Sequence, residues 1–342
     1  MINTLSPPHA DLAGKKYSNP HYFQIQHRIT SLIEKYLTIE KLNNRLEDLP
    51  LQFENPRSRP WKTIDWGSIN NEQVIGINLE VFLSILVGAI DTEAPIRDYT
   101  QTSRQYLEKI HPQMAHFVGG ILNEDGNIQE IGLWEKEERQ HTPALIKVYQ
   151  QLKGEKITAK LRTVRGYIPT DDPHEDLYRH GLHRVATEYG ATSLYLWLMA
   201  HTTGALQDVF EQLLIDEINH MTKFWGFGVW LFPDTSFLNV GNILVKTRSQ
   251  DYKCNSLLRT LKRMMEKLNW KSWTLTNKAT LIFTFIYTMH RLMAWNNSLT
   301  PDYLQELFGK CNRIMRGSAP LLDEVALAHP CTTLLTEIRN QE

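Results

Sequence analysis

Glutamates and histidines spaced three residues apart are the chemically most informative feature of this 342-residue sequence. Glu217 and His220 lie inside a strongly apolar stretch, and residues three apart on an α-helix project from the same side of it. Because buried polar side chains are costly unless they are paired or bind a metal, this pair indicates metal ligation. The Glu-x-x-His pattern is short enough to occur by chance about once. It occurs three times here, so position must identify the ligand pairs.

Two of the three pairs, together with two single glutamates, form an ordered set. Glu138 and His141 lie in a strong helical pattern, and Glu93 and Glu188 have apolar or small neighbours. The resulting order, Glu, Glu-x-x-His, Glu, Glu-x-x-His, is the ligand set of di-iron or di-manganese carboxylate four-helix bundles. The six candidate catalytic residues and metal ligands are therefore Glu93, Glu138, His141, Glu188, Glu217 and His220.

Helix-breaking residues support this selection. One group of helix-breaking residues lies near the midpoint between Glu93 and Glu138, and another lies near the midpoint between Glu188 and Glu217. Two antiparallel helix pairs would therefore bring the glutamates of each pair to matching heights. Glu108 and His111 form the third pair, but Glu108 is 15 residues beyond Glu93. That separation is over about 20 Å along one helix. We therefore interpret this pair as a helix end at Pro112.

Hydrophobic periodicity and breakers predict an all-α fold, a four-helix bundle with additional packed helices at both ends of the chain. We expect a flexible leader over 1–20 and one helical domain over 21–342, with the bundle at about 71–225 and a helical C-terminal part over 243–342. The predicted ligand helices are 71–110, 130–152, 184–200 and 205–225. The other predicted elements are a helix at 22–45, an irregular connection at 48–68, a mainly looped segment at 154–183 with a short helix at 157–164, a break at 226–242, and helices at 275–295 and 301–315.

Composition narrows the function classes. The net charge of −1 gives no support to nucleic-acid or anionic-membrane binding, and three widely spaced cysteines indicate neither a disulfide framework nor a zinc site. The N-terminus lacks the pattern of a secretory signal, and the longest apolar runs fall short of the roughly 20 residues that span a bilayer. We expect a soluble, cytoplasmic protein without a membrane span.

A few further residues have two open interpretations. Asp216, directly before Glu217, either accepts the outer ring proton of a ligand histidine or lies on a solvated face. Trp61 is interpreted as a packing anchor, and the histidines of the 154–183 segment as surface or capping residues. A basic helical face suits docking to an acidic partner, although a merely solvated face is also compatible with it. Its residues are Arg259, Lys262, Arg263 and Lys267.

The chain resembles the soluble acyl-acyl-carrier-protein desaturases of the ferritin-like superfamily. Three stretches carry the resemblance: Val87-Gly-Ala-Ile-Asp-Thr-Glu93, Trp134-Glu-Lys-Glu-Glu-Arg-Gln-His141 and Ile215-Asp-Glu-Ile-Asn-His220. They are similar to the family patterns V-G-x-x-x-T-E, W-x-x-E-E-x-x-H and D-E-x-x-H, and the likeness covers roughly residues 75–225.

The resemblance implies a ferritin-like bundle whose six candidate ligands hold two iron ions. It also implies O2 as co-substrate, a ferredoxin-type reductant, and oxidation of an unactivated C–H pair of a fatty-acyl chain on an acyl carrier protein; a homodimer is compatible with it. The chain departs from the family at Gln140, Thr142 and Asn219. It also has Ala191 where the family has a threonine beside the oxygen-binding face, with Thr192 next to it.

Other functions remain open on sequence grounds. A hydroxylase, an N-oxygenase or a halogenase could use the same cluster, because ligand identity sets the metal and not the substrate. A ferritin-like protein that only binds metal would need no apolar cleft beside the site. A helical scaffold without metal is the simplest alternative.

Overall fold

The computed structural model describes residues 22–160, 173–232 and 270–309. These residues are mostly helical, which confirms the all-α class, and they include one short antiparallel β-hairpin. The helices are α1 (Tyr22–Tyr36), α2 (Ile39–Leu46), α3 (Leu49–Glu54), α4 (Leu79–Glu93), α5 (Ile96–Ile110), α6 (Pro112–Gly119), α7 (Leu133–Lys153), α8 (Pro173–Ala200), α9 (Gly204–Leu231), α10 (Leu275–Asn296) and α11 (Pro301–Phe308). Strands β1 (Ile121–Leu122) and β2 (Ile128–Glu130) form the hairpin, and 3-10 turns lie at Trp66–Ser68, Asn71–Gln73 and Trp270–Ser272.

Four helices carry the six candidate ligands, and each has a local reason for its bounds. The side chain of Asn78 accepts hydrogen bonds from the first backbone N–H groups of α4, and Gly154, in the left-handed region, ends α7. A turn of three residues joins α8 to α9, where Gly204 has a φ of 56°. The short turn makes α8 and α9 an antiparallel pair.

The four ligand helices pack against one another as two pairs. Helices α8 and α9 contact each other along their length, α4 packs on α7, and α7 also packs on α9. The α4 and α7 pair is antiparallel, since Glu93 lies near His141 at one end while Glu80 pairs with Lys153 at the other. The core between these helices is mainly apolar, and its buried polar side chains include Thr192, Ser193 and Thr222 besides the candidate ligands and their partners.

Most of the remaining helices pack outside α7, α8 and α9. Helices α1 and α10 pack on α8, while α2 and α11 pack on α9, and the α5 and α6 pair covers α7. Arg28 of α1 donates to the carbonyl groups of Ala200 and Thr202, at 2.7 and 2.6 Å, so it satisfies acceptors at the end of α8. These contacts hold the ligand helices in place.

Several predicted boundaries were wrong. The expected helix over 71–110 is two helices separated at Pro95, so Glu93 is the last residue of α4. The segment at 154–183 is not all loop, because α8 begins at Pro173 and carries His180 and His183. His180 is buried and is not a surface residue. The helix at 22–45 is interrupted before Ile39, the connection at 48–68 contains α3, and residues 157–160 are not helical.

Helix α9 also continues through its expected break. Gly226 and Gly228 predicted an end near residue 226, yet α9 runs to Leu231. A Cβ on Gly226 would overlap the side chain of Leu46, so this glycine permits close packing of α2 on α9 and does not form a turn.

Other predictions have mixed outcomes. The helix end at Pro112 is confirmed, since α5 ends at Ile110 and α6 begins at Pro112. The helix at 275–295 is confirmed as α10, and the one at 301–315 is described only to Phe308. The leader at 1–20 and most of the predicted C-terminal part lie outside the described residues. In the described ranges, each helix is too short or too polar to cross a bilayer.

Candidate metal centre

The six candidate ligands meet in the interior as two overlapping groups. Within each group, one ligand atom from every residue lies within 4.8 Å of the others, and all the residues are buried. Glu138 and Glu217 belong to both groups. Glu93 and His141 complete the first group, and Glu188 and His220 complete the second. These buried groups could each hold a metal ion, with the shared glutamates placed to bridge the two positions.

The first group is arranged around the ring nitrogen Nδ1 of His141. This atom lies 3.2 Å from Glu138 Oε2, 3.2 Å from Glu217 Oε1 and 3.7 Å from Glu93 Oε2. Residue 93 enters from the end of α4, and the other ligands come from α7 and α9. The group therefore joins three helices.

The second group is arranged in the same way around Nδ1 of His220. The distances from this atom are 3.1 Å to Glu138 Oε1, 3.6 Å to Glu188 Oε2 and 3.9 Å to Glu217 Oε2. The ring centroids of His141 and His220 lie 6.2 Å apart, and the ring planes are inclined by 30°. The two groups thus present equivalent sets of atoms, one on each side of the shared glutamates.

Two neutral donors orient the carboxylates. Trp134 donates its indole N–H to Glu138 Oε1 at 2.8 Å, and the hydroxyl of Tyr195 donates to Glu93 Oε1 at 2.6 Å. Both donors are buried. Trp134 lies one helical turn before Glu138 on α7, so the hydrogen bond follows from helical spacing.

Each candidate ligand histidine also contacts a carboxylate behind it. Nε2 of His141 lies 3.4 Å from Asp216 Oδ2, and Nε2 of His220 lies 2.8 Å from Glu137 Oε2. Such outer carboxylates fix the tautomer and orientation of a ligand imidazole. Asp216 is buried, so it does not lie on a solvated face, and the histidine that it contacts is on α7 and not on its own helix.

Glu137 was not selected from the sequence. It precedes Glu138 as Asp216 precedes Glu217, so an acidic residue directly before each Glu-x-x-His pair was the available signal. Trp61 packs against the core, as interpreted, and its indole N–H also donates to Asp216 Oδ2 at 2.7 Å. Arg59 was also missed, and nothing in its local sequence indicates that it pairs with Asp216 at 2.7 Å.

Burial and mutual repulsion dominate the electrostatics of the cluster. Burial raises the pKa of the Glu217 carboxyl well above its usual range, and the nearby Glu138 and Glu188 raise it further. Burial likewise raises the pKa of Glu93. The carboxylates thus compete for positive charge, which protons or metal ions can supply.

At the two histidines and at Glu138, neighbouring opposite charges outweigh burial, so the charged form of each group is favoured. Burial opposes charge on His141, but Glu138 and Asp216 outweigh it and raise its pKa well above the usual value. His220 is raised in the same sense, chiefly through Glu137 and Glu138 acting against burial. The two histidines together outweigh burial at Glu138 and lower the pKa of its carboxyl. The cluster therefore favours cations at the atoms where the two groups meet.

An apolar pocket lies beside this cluster, between α5, α6, α8 and α9. Its volume, including its open mouth, is about 470 Å³. The wall includes Leu107, Met114, Leu182, Val185, Phe224 and Phe227. Phe224 lies one helical turn beyond His220, and its ring packs edge-on against Trp134, with 5.4 Å between ring centroids. The pocket therefore adjoins the tryptophan that donates to Glu138.

The other predicted site residues fall in different places. Thr192 is buried one turn beyond Glu188, and its hydroxyl lacks a hydrogen-bond partner among the described residues. Glu108 lies outside the cluster, where it pairs with Arg104 at 2.9 Å. The four basic residues proposed for carrier docking lie outside the described residues: Arg259, Lys262, Arg263 and Lys267.

Comparison of the chain with protein-family models, with curated proteins and with solved structures finds no match.

Proposed function

We propose that this chain is an O2-dependent non-haem di-iron oxidoreductase with a ferritin-like bundle, and that it oxidises an unactivated C–H pair of a fatty-acyl chain, as an acyl-carrier-protein desaturase does. The observation that carries the proposal is the pair of overlapping groups built from four glutamates and two histidines. Two groups that share two carboxylates suit two metal ions held close together. The ligand types, carboxylate and imidazole, are those that iron accepts.

The residues present fit two divalent cations on three counts. Several atoms that face the interior of the groups have no hydrogen-bond partner among the described residues: Glu93 Oε2, Glu138 Oε2, His141 Nδ1, Glu188 Oε1 and His220 Nδ1. Ligand atoms at about 2 Å from one metal lie about 3–4 Å apart, as these atoms do. Four carboxylates balance two divalent cations, so occupancy would neutralise a buried charge that otherwise destabilises the site.

Two bound iron ions would supply the electrons and the oxidant for C–H oxidation by O2, with re-reduction by an external donor such as a ferredoxin. The chain's own residues bind and orient them. Asp216 and Glu137 accept the outer ring protons of the two histidines, so both Nδ1 atoms remain available to metal. Trp134 and Tyr195 each donate to one oxygen of a ligand carboxylate and leave the other oxygen free.

The apolar pocket supports an acyl substrate over simple metal storage. Its wall is almost wholly hydrophobic, as the walls of small-molecule sites usually are. An acyl chain buried there gains about 25 cal/mol per Å² of apolar surface, and the wall excludes water from one side of the cluster. A protein that only stores metal gains nothing from such a pocket.

The test of the metal centre is an anaerobic titration of the purified protein with Fe(II), followed by exposure to O2. We expect two irons per chain and an optical change on addition of O2. A protein that binds no iron in this titration would reject the proposal. Two bound irons without any reaction with O2 would instead favour a metal-binding protein.

Product analysis tests the substrate and the reaction type. Fatty-acyl groups on an acyl carrier protein are supplied with reductant and O2, and the products are identified by mass spectrometry. An alkene supports a desaturase, whereas a hydroxylated, N-oxygenated or halogenated product assigns the cluster to those reactions. Met114→Trp, on α6 and outside the four ligand helices, would narrow the pocket and is expected to lower acyl oxidation with the iron content unchanged.

A further inference from the structure

Arg59 contacts both carboxylates that lie behind the candidate ligand histidines. It belongs to the connection between α3 and the first 3-10 turn, far in sequence from the cluster. Its backbone N–H donates to Glu137 Oε1 at 2.8 Å. Its guanidinium donates to Asp216 Oδ1 at 2.7 Å from Nη2 and 3.0 Å from Nε. One loop residue thus joins α7 and α9 behind the metal centre.

The remaining oxygen of each carboxylate faces a ligand histidine. Glu137 Oε2 lies 2.8 Å from His220 Nε2, and Asp216 Oδ2 lies 3.4 Å from His141 Nε2. Arg59 therefore occupies one oxygen of each carboxylate. The second oxygen of Glu137 faces His220, and the second oxygen of Asp216 is shared between His141 and the indole N–H of Trp61, which donates to it at 2.7 Å. The division is unequal, because the main chain of Arg59 acts on Glu137 while its side chain acts on Asp216.

The guanidinium is itself fixed by a second acceptor on α9. Nη1 donates to Gln212 Oε1 at 2.7 Å, and Nη2 donates to the backbone carbonyl of Gln212 at 2.9 Å. Gln212 lies one turn before Asp216, so the planar fork spans a helical turn with two anchors. Asp216 is fully buried whereas the Arg59 side chain is 24% exposed, so the positive charge enters from the edge of the protein and offsets the buried carboxylate.

We propose that Arg59 is a positioning residue for the metal centre, and that its side chain orients His141 through Asp216 while leaving His220 to the main-chain contact with Glu137. The inference rests on the proposed metal centre. Loss of the guanidinium leaves Asp216 held by the indole N–H of Trp61 and so loosens the position of His141, but the backbone N–H at position 59 continues to hold Glu137. The two metal positions should therefore respond differently to a side-chain substitution.

The test uses Arg59→Met in the full chain, titrated anaerobically with Co(II) and followed by visible absorption. We expect the wild type to bind two Co(II) ions, and Arg59→Met to bind one of them unchanged and the other about 10- to 100-fold more weakly. Lys62→Met is the matched control, since Lys62 lies in the same connection, is exposed and pairs with Glu211 at 3.6 Å. It should bind both ions as the wild type does.

A double variant separates positioning from general stability. In a His141→Ala background, Arg59→Met should cause no further loss of Co(II) affinity, because the residue through which it acts is gone. In a His220→Ala background it should weaken the remaining position by the full factor. Should Arg59→Met fail to fold, Arg59→Lys takes its place, with a smaller selective loss expected because lysine lacks the fork.

Three results would overturn the inference while leaving the metal centre intact: two Co(II) ions bound by Arg59→Met as tightly as by the wild type, equal weakening at both positions, or additivity with His141→Ala. A wild-type protein that binds no Co(II) and no Fe(II) would instead reject the proposed function, and the inference with it. The wild-type titration therefore distinguishes the two failures.

Discussion

Replacing Glu217 with glutamine should raise or preserve the stability of the metal-free protein while removing its stabilisation by metal. Glu217 belongs to both ligand groups, with Oε1 at 3.2 Å from His141 Nδ1 and Oε2 at 3.9 Å from His220 Nδ1. Glutamine keeps the shape of the side chain and removes its charge. A residue whose role is metal binding and one whose role is packing give opposite results in this experiment.

The metal-free expectation follows from the raised pKa of Glu217, caused by burial and by Glu138 and Glu188. A carboxyl whose folded pKa exceeds its unfolded pKa loses stability as the pH rises above the unfolded value. At pH 7 the charged form therefore costs free energy, and glutamine removes that cost. Each unit of pKa difference corresponds to about 1.4 kcal/mol, so we expect the metal-free variant to equal the wild type or exceed it by about 1 kcal/mol.

The metal-bound expectation has the opposite sign. Removing one partner of a buried charge pair costs about 3–5 kcal/mol, so each metal should bind at least about 100-fold more weakly. At a free metal concentration 100 times the wild-type dissociation constant, each site stabilises the wild type by about 2.7 kcal/mol and the variant by about 0.4 kcal/mol. The order of stability of the two proteins should therefore reverse when metal is added.

Urea unfolding followed by circular dichroism, with chelator and then with Fe(II) under anaerobic conditions, measures both quantities. Glu93→Gln is the matched control, because Glu93 belongs to the first group only and should weaken one metal position. The reasoning would be refuted if metal-free Glu217→Gln were less stable than the wild type by more than about 1 kcal/mol and were still stabilised by Fe(II) to the same extent.

Three further predictions have direct measurements. Glu138→Ala or His220→Ala should remove at least one iron per chain, because each deletes a ligand. The control Glu108→Ala should leave the iron content, measured by elemental analysis, unchanged. Full iron content in both ligand variants would contradict the assignment. His201 is buried, and its Nδ1 lies 2.9 Å from the Ile75 carbonyl oxygen. Burial lowers the pKa of His201 to about 4, so between pH 7 and pH 5 this histidine takes up a proton in the unfolded chain but not in the folded one. The free energy of unfolding should therefore fall by about 2 kcal/mol over that range. Measured with chelator present, the His201→Asn variant should lose less stability over that pH range. An equal pH dependence of the free energy of unfolding in the variant and the wild type would refute the contribution of His201. If the substrate is attached to an acidic carrier protein, reversing two charges of the basic face should weaken carrier binding and reduce its salt dependence, with the iron content unchanged. Carrier binding that changes neither with salt nor with the charge reversals would reject this face, which consists of Arg259, Lys262, Arg263 and Lys267.

The helix bounds show where local patterns were insufficient. Gly226 predicted a break because glycine weakens an isolated helix, but in the folded chain it makes room for Leu46 of α2. Pro95 separates α4 from α5, so Glu93 lies at a helix end, where the hydroxyl of Tyr195 donates to it. The neighbours at these two positions, Leu46 and Tyr195, come from helices distant in sequence, and periodicity contains no information about such partners.

The sequence by itself determined the six candidate ligands and their order, because helical spacing converts Glu-x-x-His into two side chains on one face, and because an apolar setting makes such a pair costly without a counter-charge. It also determined the all-α class through its periodicity. Only the tertiary structure decided that Glu138 and Glu217 are shared by both groups, that Glu137 lies behind His220, and that Arg59 reaches both outer carboxylates. Glu137 on α7 and Asp216 on α9 lie 78 and 157 residues from Arg59 in sequence. Side-chain contacts over such separations are set by helix packing and not by local spacing.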